Sequence, residues 1–444
     1  MTATTPTFKA GKAWLVAAVV IIAATFAAIV TFRQMTVVPL LTAYFGIDVA
    51  EYGNVSAIVS LFTLVGALAS GPLQVKIGPR MLMIVCFILF LIGTGLQTVA
   101  ALGGWGFIPF MGVNIFATIA YGAWMTAPPI VIAAWFPAEK RGLPNSINAT
   151  WISFGMLIVL TVSQPLVEMG GDNPLAWLNI WYMLIILMII GLVILILFAR
   201  MPKPDNDFME KAADTGEKAK MGDALKNPAV WFLMFMFIAF GFGTAAFGNY
   251  FPTYLQAPTE AIVDPATGIV TPGGGFGVDP GTANTWSSWS TYVMIIVGFL
   301  WGFVLNAVPN KHYDKLNLFV MIVTCAAGCI MFVLPSAAIV LPFMIFWGFA
   351  SRLFPPVCFV IVPEVTKNQE EASVAVGAMA VVSNLIGTIA TSVCGMIAVG
   401  AATWNACLWP NVLVSVIGIV CAVLLMPIYA KKYAAKHSTE NVAA

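Results

Sequence analysis

From Met81 to Ala138 the chain runs through fifty-eight residues without an Asp, Glu, Lys or Arg, and from Ala372 to Ala430 through fifty-nine. Soluble domains carry a charge at about one residue in four, whereas here 9% of 444 residues are charged and 60% are hydrophobic. Such runs belong in lipid. A helix crosses the hydrocarbon core with roughly 20 apolar residues, so each of these runs holds two spans. Ala13 to Phe32, Tyr52 to Val75, Gly142 to Val167, Asn173 to Ala199, Asn227 to Thr259 and Pro280 to Asn310 hold one each. Leu316 to Pro363, interrupted only by Arg352, holds two more. The expected fold class is therefore an all-α membrane protein with twelve transmembrane helices. The first run is too long for a secretory signal core and lacks a small-residue cleavage site, so it reads as span 1.

With the N-terminus in the cytoplasm, twelve crossings place eighteen of the twenty Lys and Arg on the cytoplasmic side and none on the other. That asymmetry predicts a multi-pass protein of the cytoplasmic membrane with both termini cytoplasmic. Two cations are left over: Arg33 in the outer half of span 1 and Arg352 near the middle of span 10. At about 1.5 Å per residue, Arg33 falls roughly 9 Å outside the midplane.

A charge at the centre of a spanning helix costs about 2.5–3.5 kcal/mol on insertion scales and normally faces a partner, a cavity or a substrate. The nineteen acidic residues sit in loops and at span ends. The missing negative charge is therefore expected from a small anionic substrate, which guanidinium binds bidentately. Two bland readings stand beside this one. Arg33 snorkels to the headgroups or pairs with Asp48 or Glu51, and Arg352 uses carbonyls freed within its own helix. Further candidates for substrate contact at similar depth are Tyr121, Trp124, Asn249, Tyr250, Trp289, Tyr292, Ser351 and Asn384, set against the more frequent role of such aromatics in packing or in an interfacial belt.

The segment 202–227 carries eleven charges between Lys203 and Lys226 and reads as a hydrated linker. It separates an N-terminal bundle, 1–201, from a C-terminal bundle, 228–444, of six spans each. The halves echo one another: Gly122, Pro128, Pro129 and Pro137 in span 4 correspond to Gly348, Pro355, Pro356 and Pro363 in span 10. Prolines there free backbone carbonyls and predict kinks. The counterpart of Arg352 is Thr126, so only one half carries the charge.

The chain now resembles the major facilitator superfamily over essentially its whole length. "GPLQVKIGPR", Gly71 to Arg80, looks like the superfamily's loop motif G-x-L-x-D-R-x-G-x-R through Gly71, Leu73, Gly78 and Arg80. The motif's Asp, part of the family's cytoplasmic latch, is Val75 here. "WFPAEKRGLPNSIN" is similar to the family's loop between spans 4 and 5, and "MGDALKNPAVWFLMFMF" is similar to the branch of oxalate:formate antiporters and monocarboxylate transporters. The resemblance implies two six-helix bundles, with spans 1, 4, 7 and 10 lining a central path, and Gly71, Gly78 and Arg80 as loop residues tied to gating.

The functional expectation is a secondary active transporter of small organic anions, carboxylates first, working by alternating access with anion exchange as the expected mode. The alternatives are an inorganic anion carrier for nitrate or phosphate-type ions, and a multidrug efflux pump. No enzyme is expected, since no catalytic constellation is visible, and no cofactor or metal, since the seven Cys lack His or acidic companions at ligand spacing. His312 and His437 fall in a loop and the tail, outside any proton relay in the membrane. The lipid bilayer is the expected environment, a monomer the expected state, and nucleic acid is excluded because topology accounts for the basic residues. The outer loop 257–286 suggests a short β-hairpin around "DPATG" followed by a flexible glycine run.

Overall fold

The computed structural model describes residues 8–137, 140, 144, 147, 148, 150–202, 226–366 and 369–440. Among them are twelve helices long and apolar enough to cross a membrane. Spans 1 to 6 are Ala10–Phe32, Val49–Ser70, Pro79–Leu102, Phe107–Ile132, Trp151–Glu168 and Leu178–Phe198. Spans 7 to 12 are Pro228–Gln256, Pro280–Leu305, Asn310–Ile330, Ala337–Val362, Val374–Gly400 and Trp404–Ala435.

The chain divides into two compact units, Met1–Ile47 with Val55–Asp214, and Asp48–Asn54 with Thr215–Ala444. The division differs from the sequence expectation in assigning the start of span 2 to the second unit. There Ser392 donates to Asn54, and a side chain on Gly53 would come within 2.8 Å of the Thr391 carbonyl. Most of the expected linker, 203–225, lies outside the described residues.

Within the first unit span 1 packs on spans 5 and 6, span 2 on span 4, and span 3 on spans 4 and 6. Within the second, span 7 packs on 11 and 12, span 8 on 10, and span 9 on 10 and 12. The second set is the first with six added to every helix. Lipid offers no hydrophobic drive between apolar helices, so such pairs depend on small residues that let backbones approach. Gly122 and Gly348, the glycines of the sequence echo, do the same work in both units. A Cβ on Gly122 would overlap the Thr63 carbonyl of span 2, and one on Gly348 would overlap the Ser290 carbonyl of span 8.

The paired prolines behave differently in the two halves. In span 4 the helix breaks between Ile115–Trp124 and Ala127–Trp135, so Pro128 falls in a new first turn, where a missing N–H costs no bond. Helix Val340–Val365 instead continues through Pro355 and Pro356. Proline's fixed φ is already helical, and what is lost is only the pair of bonds to the carbonyls four residues back.

The loop motif is now explained locally. Helix Phe62–Ile77 ends and helix Pro79–Leu102 begins with Gly78 alone between them, at φ 82° and ψ 157°. Side chains are excluded from that conformation. Gly71 lies within helix Phe62–Ile77, and Arg80 donates to the Ile196 carbonyl at 2.7 Å, capping the last turn of span 6.

In the outer loop, strands β1, Ile262–Val263, and β2, Val270–Thr271, form the antiparallel hairpin. Its turn is closed by Asp264, whose carboxylate accepts from the Ala266 N–H and the Thr267 hydroxyl, both at 2.8 Å. These bonds hold the carboxyl below its usual pKa. The glycine run is pinned, contrary to the flexible stretch expected. Gly273 N–H donates to Ala402 O, Gly274 N–H to Thr259 O, Gly275 N–H to Pro258 O and Gly277 N–H to Ala257 O, at 2.8–3.1 Å. Glycine composition signalled freedom, but close backbone approach is the second use of a residue without Cβ.

Gly122→Ala and Gly348→Ala should each destabilise the protein by about 1–3 kcal/mol, the usual cost of overpacking. Gly95→Ala, where an added Cβ meets nothing within 4 Å, should hold or raise the midpoint, because alanine is the better helix former. Thermal unfolding in detergent compares the three.

Candidate functional site

Arg33 follows the last residue of span 1 and is 2% exposed. Its guanidinium donates to the Val30 carbonyl, to Gln97 Oε1 on span 3, and to Asn114 Oδ1 on span 4 at 2.6 Å. The ring of Trp181 on span 6 lies 5.5 Å from its central carbon, within cation–π range. Gln97 is the hub: its Oε1 also accepts from Trp181 Nε1 at 3.0 Å, and its Nε2 donates to Phe110 O at 3.2 Å. Carboxamide oxygens and an indole face thus solvate a cation inside the first unit, at spans 1, 3, 4 and 6. Sequence reading paired Arg33 with a substrate or with Asp48 or Glu51 and passed over Gln97, Asn114 and Trp181. The available signal was a lone glutamine inside the charge-free run from Met81.

Trp124 is a second departure from expectation. It is fully buried, with its ring 5.2 Å from Phe87 of span 3, so it packs the first unit rather than facing a path. Tyr121, one turn earlier, is half-buried with its ring 6.0 Å from Trp151 of span 5.

In the second unit Arg352 lies near the middle of span 10 and is half-buried. Leu341, Ile345, Phe349 and Phe359 of the same helix are 39–47% exposed. Their spacing places them with Arg352 on one stripe that the unit leaves uncovered. The opposite face, including Trp347, Phe354 and Cys358, is buried against spans 7, 8 and 9. Ser351 belongs to that buried face, 4% exposed and donating to Gly348 O at 3.4 Å.

Asn249 and Tyr250 meet at one residue of span 11. Asn249 Nδ2 donates to Thr391 Oγ1 at 3.1 Å and to Ala245 O at 2.8 Å. Tyr250, fully buried against Trp404, donates to Thr391 O at 2.7 Å. Tyr250 therefore fastens span 7 to span 11, and the expectation of a substrate contact gives way to a structural bond. Asn384 is half-buried with Nδ2 on Ala380 O at 2.8 Å. Trp289 and Tyr292 are 45% and 42% exposed on one face of span 8, rings 5.8 Å apart.

A network near the start of span 7 escaped the sequence reading. Asn227 caps that helix and donates from Nδ2 to Val365 O at 2.8 Å and to the buried Glu371 at 2.9 Å. Lys432 of span 12 donates to Asn227 Oδ1 at 2.8 Å and to Val365 O at 2.6 Å.

The family model described as Major Facilitator Superfamily matches residues 18–259 and 257–443. The chain belongs to the Major Facilitator Superfamily. No curated protein matches it significantly in sequence. Among solved structures, a bacterial homologue of the human lysosomal transporter Spinster superposes on this superfamily member with a TM-score of 0.68 at 14% identity, over 96% of this chain and 98% of the other. A D-xylose-proton symporter gives 0.70 at 16% identity, over 93% and 97%. The nucleoside transporter NupG gives 0.66 at 15%, over 93% and 99%. At such identities the likeness establishes the twelve-helix fold, and membership of the superfamily makes the protein a membrane transporter.

Gln97→Leu should destabilise the first unit by about 2–3 kcal/mol, because it strips a buried charge and an indole of their acceptor. Adding Arg33→Met should recover part of the loss. Thermal unfolding of the two single variants and the double variant reads the coupling.

Proposed function

We propose that this superfamily member carries small organic anions, carboxylates foremost, across the cytoplasmic membrane, with both termini in the cytoplasm, by the alternating access of a two-bundle carrier. The observation that carries the reading is Arg352, a guanidinium near mid-span on the stripe of span 10 that its own unit leaves uncovered. An intramembrane cation is expensive and marks a substrate or ion path by default. Guanidinium matches carboxylate with two parallel N–H···O bonds. Arg33, held by Gln97 and Asn114, is read as a structural cation, so anion binding rests on Arg352. Asn384, Tyr121, Trp289 and Tyr292, each partly exposed, remain the candidates for contacts beyond the charge.

Exchange is favoured over net uptake. Closing a low-dielectric path around a guanidinium costs less with an anion beside it, so a bound anion favours turnover of the carrier in either direction. The xylose-proton symporter among the structural neighbours shows that the fold also serves coupled uptake, which makes the distinction experimental. The excess of Lys and Arg on the predicted cytoplasmic side supports the orientation.

In proteoliposomes loaded with dicarboxylate or monocarboxylate, Arg352→Gln should reduce labelled anion uptake about 10–100-fold, the worth of a charge-assisted hydrogen bond. Arg352→Lys should retain a fraction of it. Wild-type rates from a folded Arg352→Gln protein would refute the role. Competition by nitrate or phosphate identifies the inorganic alternative.

Preloading with unlabelled anion should accelerate uptake at least several-fold over empty vesicles. Equal rates would exclude obligatory exchange and leave the anion site standing.

A further inference from the structure

The turn between spans 11 and 12 holds a strained residue. Ala402 has φ 53°, the one positive φ outside glycine among the described residues, in a left-handed conformation that a Cβ disfavours. Such residues persist where surrounding bonds over-determine them. Here the bonds come from the glycine run of the outer loop. Gly273 N–H donates to Ala402 O and Trp404 N–H donates to Gly273 O, each at 3.0 Å, so a parallel bridge joins Gly273 to Thr403. A Cβ on Gly274 would lie 2.7 Å from Thr403 Oγ1, and one on Gly275 would overlap the carbonyls of Tyr254 and Ala257. The run therefore lies against the end of span 7 and the turn after span 11 at once.

From this run a chain of rings leads to Tyr250. Phe276 meets Tyr254 edge-on with centroids 5.7 Å apart, Tyr254 meets Phe332 at 5.5 Å, and Phe332 stacks on Trp404 at 5.8 Å. Trp404, fully buried, lies 5.2 Å from the ring of Tyr250. The Tyr250 hydroxyl, bonded to Thr391 O at 2.7 Å, occupies a spot where two glycines make room. A Cβ on Gly53, at the start of span 2, would lie 2.5 Å from it, and one on Gly395 of span 11 would lie 2.9 Å from it. The same Cβ on Gly395 would lie 2.8 Å from the Val49 carbonyl. Tyr250 is thus packed between the ring chain and the place where the start of span 2 docks on span 11.

Close-packed interiors transmit strain, so a displacement at one end of a contiguous chain of buried side chains is felt at the other. We propose that the outer loop is a strap that sets the docking of the start of span 2 on span 11. Its glycine run fixes the Ala402 turn, the turn fixes Trp404, and Trp404 fixes Tyr250. Loosening the run lets the turn relax, Trp404 shift and the contact at Gly53 open. The hairpin is no part of this device, since β1 is exposed and the Asp264 turn is closed by bonds within itself.

Amide hydrogen exchange of the full chain in detergent tests it, read in peptides covering 49–54 and, as reference, in spans 1 and 3 of the first unit. Gly275→Ala, which forces the run off the Tyr254 and Ala257 carbonyls, should speed exchange over 49–54 about 5–30-fold. Tyr250→Phe, which removes the hydroxyl and its bond to Thr391, should speed it about 5-fold. Asp264→Ala, which opens only the hairpin turn, should leave it within about 2-fold of wild type. No change over 49–54 in either of the first two variants overturns the proposal. So does an equal rise in the Asp264→Ala protein, or a rise matched in spans 1 and 3. Should Gly275→Ala not fold, Phe276→Ala decides by the same readout, since it removes the ring contact with Tyr254 without adding an atom.

Discussion

A polar group that enters the hydrocarbon layer must find its partner inside the protein, because lipid supplies none. Several departures from plain apolar packing among the described residues are local answers to that constraint. Arg33 is answered by two carboxamide oxygens, a backbone carbonyl and an indole face. Tyr250 is answered by a carbonyl of span 11, and Asn227 by Lys432, Glu371 and the end of span 10. Arg352 is distinguished by its place, on a face that its own unit does not cover.

The internal repeat shows how much of the architecture follows from small residues. Gly122 and Gly348 bring spans 4 and 10 against spans 2 and 8 by the same backbone contact, and the five helix pairings of one unit recur in the other. The repeat does not extend to polar contents. The first unit sets Arg33 beside a ring cluster of Phe45, Phe110, Trp177 and Trp181, while the second packs the rings of Tyr250, Phe251, Tyr254, Phe332, Phe343, Trp347 and Trp404. One scaffold accommodates either solution because each satisfies its own interior.

Several site residues named from sequence were misplaced for one reason. Depth along a helix is legible from residue count, but the side toward which a residue points is not, when the helix is apolar all round. Trp124 and Tyr250 face the interior of their own units. Arg33 is buried, and its partners are not legible in the sequence because Gln97, Asn114 and Trp181 are 64 to 148 positions away in the chain.

By itself the sequence determined the twelve spans, their division into repeated sixes, the family and the two cations that stand apart from the basic loops, since these depend on composition, spacing and charge counted along one dimension. Its turn chemistry also announced the outer hairpin, and Gly78 stands where the only allowed backbone excludes a side chain. Tertiary structure alone decided which cation is enclosed and which lies on an open stripe, that the glycine run is hydrogen-bonded, and that span 8 buries an amide with no hydrogen-bond partner among the described residues. The physical reason is that burial and hydrogen-bond satisfaction belong to pairs of helices, and a single strand of letters records the members of a pair without recording that they meet.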